Sequence, residues 1–424
     1  MAFQQGLSGL NATSKSLSVI GNNIANANTY GNKAARAEFS NVYAAAITGG
    51  GNNGVGIGVN VAGVSQQFTQ GTITTTENNL DLAINGNGFF QLQSGGATLY
   101  SRNGQFTKDK EGYIVNGTGT KLLGYTASTA GVINPSTVQP LQLPTAGVAP
   151  AATTKIALEF NLDSREAVTL PAAAPLINFA NATTYNKATS LSVFDDKGQE
   201  VALTYYFQKT AADTWDVYAT ANGTPVNGTV AAPTALVTGM TFAANGRSVT
   251  NPAAPVTFTV PAVSLTPAGV PGGTSLAITG VSLDLTKATQ FGSSFSVTDL
   301  TQDGYAPGQL TGFNIDKSGI IQAQYSNGQS KASGQVVLAT FRNPQGLSPL
   351  GGNAWASSPS SGEPIIGVPG QGNIGALQSG ALEESNVDLT AELVNMIVAQ
   401  RAYQANAQTI KTEDQVLQTL VNLR

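Results

Sequence analysis

Residues 381–424 read ALEESNVDLTAELVNMIVAQRAYQANAQTIKTEDQVLQTLVNLR, and this stretch sets the organisation of the whole chain. Alternating steps of four and three residues from Leu389 connect mostly apolar positions, which is the heptad spacing of a helix that packs against another helix. No proline interrupts the stretch, so we predict one helix to the C-terminus. Ser385, with Asp388 three positions on, predicts its start. The seam positions are Leu389, Leu393, Met396, Gln400, Tyr403, Ala407, Ile410, Asp414, Leu417 and Val421.

The first two dozen residues carry a second stripe with the same spacing. Its positions are Phe3, Leu7, Leu10, Ser14, Leu17, Gly21 and Ile24. Almost everything between the two stripes has the pattern of strands and turns, so the terminal helices are each other's natural partners. The chain must then leave from one place and return to it, which predicts nested rather than serial domains.

The composition of the 424-residue chain limits the functions that it can have. Charged residues make up 10%, well below the roughly 25% of ordinary domains. The net charge of −4 comes without any Lys/Arg cluster, which argues against nucleic-acid binding. A weakly charged polar surface suits a protein that is covered by copies of itself, and it fits a secreted β-rich protein about equally well.

The sequence gives no sign of a membrane or signal segment. No run reaches the roughly 18 apolar residues that a membrane span requires. The first residues, MAFQQGLSGL, lack the basic segment and the continuous apolar core of a cleaved signal peptide. If the protein leaves the cell, we expect another route of export.

Cysteine and histidine are both absent. Their absence excludes disulfides, thiolate metal sites and nucleophiles that are activated by histidine. The acidic pairs that could serve as a catalytic or metal site are Asp109 with Glu111, Asp195 with Asp196, and Asp299 with Asp303. We interpret all three as parts of glycine-containing turns, where Asp is favoured for backbone reasons. We therefore expect no catalytic site, cofactor or metal.

Short β-like runs separated by Gly and Asn turns fill residues 71–144 and resume over residues 303–385. Residues 80–84 and 89–92 flank the turn sequence NGNG, and an Asn-Gly step between such runs predicts a hairpin. If the chain ends meet, the two blocks cannot be consecutive domains. We interpret them as two halves of one β-rich middle domain.

A tract rich in Ala, Pro and Thr, residues 143–154, precedes a further β block. Within it, residues 191–194 and 201–208 flank the turn DDKG and predict a hairpin, with residues 214–220 as a third strand. The predicted fold class is therefore mainly β with α-helical termini, in a nested, discontinuous multidomain chain. The predicted domains are residues 1–30 with 386–424 (coiled-coil-like terminal helices, the inner core), 31–70 (a connector, irregular except for a strand over 55–64), 71–144 with 303–385 (middle domain) and 145–302 (inserted β-rich outer domain).

Each end of the chain also carries a distinctive motif. One is Gly380-Ala-Leu-Glu-Glu-Ser-Asn-Val-Asp-Leu389 with Met396-Ile-Val-Ala-Gln-Arg-Ala-Tyr403, and the other is Ile20-Gly-Asn-Asn-Ile-Ala-Asn-Ala-Asn28 with Thr29-Tyr-Gly31. Together they resemble the bacterial flagellar axial proteins, the family of rod and hook subunits. That family usually has proline where this chain has Tyr30. The matching signature residues are Asn22, Asn23, Ala25, Asn26, Asn28, Thr29, Gly31, Ser385, Asn386, Val387, Asp388, Gln400 and Arg401.

The middle of the chain resembles hook rather than rod members of the family. Residues 84–90 (INGNGFF) and 193–198 (VFDDKG) resemble the intermediate and outer domains of hook subunits, and rod proteins are generally much shorter. The resemblance implies a structural hook subunit, not an enzyme, which self-assembles into a flexible curved tube and transmits motor torque from rod to filament. The two terminal helices, with their apolar seam residues, would line the inner channel of that tube.

The resemblance also implies partners and a location. The expected partners are other hook subunits, rod and hook–filament junction proteins, the hook cap during assembly and the flagellar export apparatus. Nucleic acid and a membrane span are not expected. The location would be the extracellular hook of the flagellum, reached by type III export without a cleaved signal peptide. Two alternatives stay open at this point: a distal rod protein, and an extracellular β-rich adhesin.

Overall fold

The computed structural model describes residues 2–42, 58–172, 176–265 and 273–422. Helix α1 (Ala2–Ala25) and helix α2 (Leu389–Asn422) stand at the two ends of the chain, and strands occupy about half of the described residues between them. The prediction of a mainly β chain with helical termini is therefore confirmed. Neither described helix is long and apolar enough to cross a membrane.

The chain divides into two compact units. The first comprises residues 1–145, 312–324 and 330–424, and the second comprises residues 146–311 and 325–329. The chain thus enters the second unit from the first and later returns to it. The finer division of the first unit into terminal helices, connector and middle domain stays a prediction.

Thirty strands lie in the described part of the chain. The first unit begins with β1 (Ala35–Val42), β2 (Gly58–Gln66), β3 (Ile73–Thr75), β4 (Leu82–Asn85), β5 (Phe89–Ser94), β6 (Ala97–Ser101), β7 (Phe106–Lys108), β8 (Ile114–Asn116), β9 (Lys121–Ala127) and β10 (Ile133–Pro140). The second unit contains β11 (Lys155–Asp163), β12 (Lys187–Phe194), β13 (Glu200–Ala211), β14 (Thr214–Ala221), β15 (Thr224–Pro225), β16 (Val237–Phe242), β17 (Val249–Asn251), β18 (Val256–Val260), β19 (Ile278–Asp284), β20 (Thr289–Phe291) and β21 (Ser296–Gln302). The chain then returns through β22 (Leu310–Ile315), β23 (Ile320–Tyr325), β24 (Ser330–Val336), β25 (Leu338–Thr340), β26 (Ser348–Gly351), β27 (Ala354–Ala356), β28 (Ile365–Gly367), β29 (Ala376–Ser379) and β30 (Ala381–Glu383).

A 13-stranded sheet forms the body of the first unit, with the path β22-β23-β24-β9-β5-β6-β27-β26. Three early strands, β9, β5 and β6, are therefore flanked on both sides by strands from the later part of the sequence. Strand β9 pairs with β24 on one side and with β5 on the other. The buried core contains Phe90, Phe106 and Leu338, and Leu338 lies about 250 positions after Phe90 in the sequence.

The second unit consists of two sheets that share one core. In the five-stranded sheet, β11 is parallel to β19 and β20 and antiparallel to β21. The six-stranded sheet has the order β12-β13-β14-β16-β17, and its sixth strand, β15, pairs with β14. Phe160 of the first sheet and Phe207 of the second pack with ring centroids 4.6 Å apart. Alternate residues of β13 are buried, as expected for a strand with one face on the core.

The hairpin predicted around the turn DDKG is confirmed, since β12 and β13 pair antiparallel on either side of it. The hairpin predicted around residues 85–88 is wrong. Strand β4 pairs with β29, and β5 pairs with β6, β9 and β25. The Asn-Gly steps do bend the chain, with Gly86 and Gly88 at φ values of 114° and 131°. The edge of β4 is taken by a strand that comes from the end of the chain.

Residues 34–68 are more regular than the sequence predicted. Strands β1 and β2 pair antiparallel, with Ala35 opposite Gln66 and Val42 opposite Gly58. No strand was expected over residues 35–42, because they show no apolar alternation. Neither strand has a buried residue, so pairing between the two backbones, rather than burial of side chains, accounts for them. The first part of the strand expected over 55–64 lies outside the described residues.

A buried ion cluster joins three distant parts of the first unit. In β30, Oε1 of Glu383 lies 2.6 Å from Nζ of Lys33, and Oε2 lies 3.0 Å from Nη1 of Arg102. The N–H group of Gly71 also donates to Oε1. Burial lowers the pKa of Lys33 and that of Arg102, and the charge of Glu383 opposes this shift. Glu383 is thus the shared counter-ion of two buried cations.

Glu383→Gln should lower the free energy of unfolding of the first unit by about 3–5 kcal/mol, because two buried cations lose their counter-ion. Urea unfolding, followed by fluorescence of Trp355 in a Trp215→Phe background, measures this unit, since Trp215 lies in the second. The control is Glu384→Gln, at a half-buried neighbour without an ion pair among the described residues. An unchanged urea midpoint for Glu383→Gln would contradict the role of the cluster.

Gly31 also ties the segment after α1 to strand β30. Its N–H group donates to the carbonyl oxygen of Glu383, at 2.8 Å, and its φ is +69°. A Cβ atom at this position would lie 2.4 Å from the backbone nitrogen of Asn103. The position therefore combines a left-handed backbone with a close backbone approach, and both require glycine.

Gly31→Ala should destabilise the first unit by at least about 1–3 kcal/mol, the usual cost of a left-handed non-glycine residue. The same fluorescence assay measures the change. Gly117→Ala is the matched control, because a Cβ there meets no atom within 4 Å. Equal urea midpoints for the two variants would be inconsistent with strain at Gly31.

Candidate functional site

The two terminal helices contact each other through small residues of α1. A Cβ atom added at Gly6 would lie 3.1 Å from Cγ1 of Ile410, and one added at Gly9 would lie 2.9 Å from the side-chain amide of Asn406. Ala12 is buried on the same face. Glycine allows the helices to approach closely here. The contact within one chain therefore uses a different face of α1 from the predicted heptad stripe.

The heptad stripes themselves are largely left open. Phe3 and Leu7 are 46% and 45% exposed, and Leu393 is 50% exposed. The seam residues Leu10, Leu17, Ile24, Met396 and Ile410 are half-buried. The side chain of Val421 lies outside the described part of the structure. We use the name exposed stripes for Phe3 and Leu7 of α1 and for Leu389, Leu393, Val394, Ile397, Val398, Tyr403, Val416 and Leu417 of α2.

Four members of the exposed stripes were missed by the sequence analysis: Val394, Ile397, Val398 and Val416. Val394, Ile397 and Val398 follow each other in steps of three and one, so they widen the apolar face of α2 beyond a narrow seam. A search for all apolar residues on one side of the predicted helix, rather than for a single line of positions, would have identified them. The single heptad template excluded them, because it follows only one line of positions.

The signature residue Asn23 links the end of α1 to two other elements. Its Nδ2 donates to the carbonyl oxygen of Ala35, at 2.8 Å, and to Oε1 of Glu392, at 2.9 Å. Its Oδ1 accepts from the N–H group of Ala35. Asn23 thereby holds the start of β1 and the first turn of α2 in place.

Asn386, from the other signature, makes the corresponding contacts at the start of α2. Its Oδ1 accepts from the N–H group of Ala34, at 2.7 Å, and its Nδ2 donates to the carbonyl oxygen of Gln67 and to Thr69. The side chain of Ser385 lies 3.4 Å from Nδ2 of Asn32. The two signatures are therefore brought together into one junction, although more than 350 residues separate them.

The remaining signature residues lie in three places: the end of α1, the segment before α2, and α2 itself. Asn22, Ala25, Asn26, Asn28 and Thr29 form the end of α1 and the turns after it, where Thr29 Oγ1 and Asn26 Nδ2 each donate to a carbonyl oxygen within four residues. The N–H group of Val387 donates to Ser385. Gln400 and Arg401 are exposed on α2 and lie outside this junction.

The predicted start of α2 is wrong by one turn. The helix begins at Leu389, and Oδ1 of Asp388 accepts hydrogen bonds from the N–H groups of Thr390 and Ala391. Asp388, rather than Ser385, is thus the capping residue. Ser385 instead belongs to the turn that precedes the helix.

The acidic groups are engaged with the backbone. Oδ1 of Asp109 and Oδ1 of Asp195 each accept from the N–H groups two and four positions further on, which confirms the turn interpretation for both. Asp299 lies within β21, paired with Glu159, so the turn interpretation is wrong there. Among the described residues, no group of three His, Cys, Asp or Glu side chains could hold a metal ion.

Four family models match the chain. They are the flagella basal body rod protein (residues 3–33), the flagellar hook protein FlgE/F/G D1 domain (83–196), the flagellar basal body protein FlaE D2 domain (161–305) and the flagellar basal body rod FlgEFG protein C-terminal (378–423). The first and last of these contain the two signatures of the junction. The other two cover residues of the β-rich units.

The chain is also similar to curated proteins over its full length. It is 43% identical to the flagellar hook protein FlgE of Escherichia coli (strain K12), with 100% of both chains covered. The identity is 35% to that of Rhizobium meliloti (strain 1021) and 33% to that of Borreliella burgdorferi, with 98% and 99% of those chains covered.

A solved structure shares the fold. The crystal structure of Helicobacter pylori flagellar hook protein FlgE2 matches with a TM-score of 0.53 and 15% identity, over 73% of this chain and 100% of that one. The full-length relatives favour a hook subunit over the distal rod protein and the adhesin. The chain therefore belongs to the FlgE family of bacterial flagellar hook proteins and is a structural subunit of the hook.

Proposed function

We propose that this hook subunit polymerises through its two terminal helices into a flexible curved tube, which transmits torque from rod to filament. The observation that supports this proposal is the exposure of apolar side chains on both helices. Contiguous apolar patches of this kind mark interaction surfaces. Burying a Leu, Ile, Val or Phe side chain stabilises an association by about 1.5–3 kcal/mol, so several per subunit are enough to favour a polymer.

The two exposed stripes are different surfaces, which bears on the kind of polymer. When a patch on one subunit binds a different patch on the next, the contact repeats in one direction and produces a ring or a helical filament. The helices α1 and α2 differ in sequence and in their exposed residues. This difference supports head-to-tail contacts and hence an extended tube with the helices on its inside.

The β-rich units would form the outer layers of that tube and allow it to bend. Bending requires neighbouring subunits to slide without separating. Only 10% of the residues are charged, so strong ionic contacts between subunits would be few. Weak polar contacts can exchange one partner for the next at little cost, and this supports a flexible joint.

We also propose which proteins the tube contacts and how the chain is exported. Rod proteins would meet one end of the tube, hook–filament junction proteins the other, and a hook cap would act during assembly. The chain would pass unfolded through the flagellar export apparatus to the extracellular hook, without a cleaved signal peptide. The absence of cysteine supports this route, because a threaded chain must carry no disulfide. Catalysis has no part in the proposal.

Leu393→Asp should raise the protein concentration needed for polymerisation at least tenfold, because each subunit loses an apolar contact worth about 1.5–3 kcal/mol and gains a buried charge. Sedimentation of the purified full chain over a concentration series measures the threshold, and electron microscopy identifies the tubes.

Gln408→Asp is the control for that experiment, since it places the same carboxylate at an exposed polar position of α2. It should leave the threshold within about twofold of the original. Tubes of Leu393→Asp that form at the original threshold would refute the role of the exposed stripes.

A further inference from the structure

An open groove of about 620 Å³ lies between α1, α2 and the paired strands β1 and β2. Apolar side chains from all four elements line it: Val19 and Ile20 of α1, Phe39 of β1, Val59 of β2, and Val398 and Ala399 of α2. Phe39 is 42% exposed and Val398 is 60% exposed, whereas Val19, Ile20 and Ala399 are buried, so the groove has an exposed rim and a buried floor in a single chain. Because Val398 belongs to the exposed stripes, the groove continues the proposed assembly surface.

The first half of α1 provides a matching projection. Phe3 and Leu7 are four residues apart and therefore lie side by side on one face of the helix. Both are nearly half exposed. Residues 2–14 contain no ionisable side chain, so this segment can enter an apolar environment without desolvating a charged side chain.

In a single chain, neither Phe3 nor Leu7 lines the groove. The helices run antiparallel, with Gly6 beside Ile410 and Asn23 beside Glu392. Leu7 therefore lies level with residues 406–410 of α2, at the end of the groove that Asn406 lines, whereas Val398 lies eight to twelve residues earlier. At 1.5 Å per residue, the separation along the helix is roughly 12–18 Å.

We propose that Phe3 and Leu7 of one subunit insert into the groove of a second copy. This inference rests on the proposed function and names the contact that joins neighbouring subunits. It sets an offset of roughly 12–18 Å along the helix direction between the two copies. Projection and groove are different surfaces of the same chain, so the contact repeats from copy to copy.

The other apolar segment that could occupy the groove is the second half of α2, through Val416 and Leu417. That segment carries Lys411, Glu413 and Asp414 close to the apolar pair. Two charged side chains, Arg36 and Glu392, also line the groove, and Glu392 already accepts a hydrogen bond from Asn23. Most of the lining is uncharged, so burying three charged side chains there would be costly unless each found a partner. The uncharged first half of α1 is therefore the better match in charge.

The absence of cysteine allows a direct test by engineered disulfides. The double variant Leu7→Cys with Val398→Cys is polymerised as the full chain and treated with a mild oxidant. A disulfide forms only where the two Cα atoms come within about 7 Å, which the two positions of one chain do not. We expect a ladder of covalent trimers and larger species on a non-reducing gel, and at most dimers from each single variant.

A second pair, Phe3→Cys with Phe39→Cys, tests the strand wall of the groove and should give the same ladder. Tubes of wild-type appearance that yield no species above dimers from either pair would overturn the groove contact and leave the proposed function standing. A wild-type chain that forms no polymer at any concentration would overturn the proposed function and the inference together.

Discussion

The first unit depends on one buried carboxylate that pairs with two buried cations. Lys33 follows α1, Arg102 follows β6 in the large sheet, and Glu383 immediately precedes the segment that leads into α2. Without Glu383 both cations would be buried with no counter-ion, so the unit forms only when the three segments are brought together. This requirement closes the chain, and closure places α1 beside α2.

The polar junction then orients the two helices. Asn23 and Asn386 occupy backbone donors and acceptors that would otherwise be unpaired, and Asp388 caps the first turn of α2. Small residues of α1 form the contact with α2, and the exposed stripes remain open to water. Polar groups thus hold this junction together, whereas the β-rich body of the first unit has an apolar core.

Local patterns predicted the elements that depend on neighbouring residues. The heptad spacing identified both helices, and the turn DDKG identified the pairing of β12 with β13, because a short turn fixes its own flanking strands. Prediction failed for two kinds of strand. Strand β4 pairs with β29, almost 300 residues away, and no local pattern encodes so distant a partner. Strand β1 pairs with the next strand, β2, but has no buried residue and therefore no apolar alternation.

The sequence by itself determined the mainly β architecture, the terminal helices, the absence of thiol and imidazole chemistry and the resemblance to flagellar axial proteins. These follow from spacing and composition, which can be read along the chain. Only the tertiary structure decided that Lys33, Arg102 and Glu383 share one buried site. It also decided that Asn23 and Asn386 bond to the first residue of β1 and to the residue before it, and that small residues of α1, rather than its heptad stripe, contact α2. Such contacts depend on which distant segments the backbone brings within hydrogen-bonding distance, and residue spacing along the sequence carries no information about that.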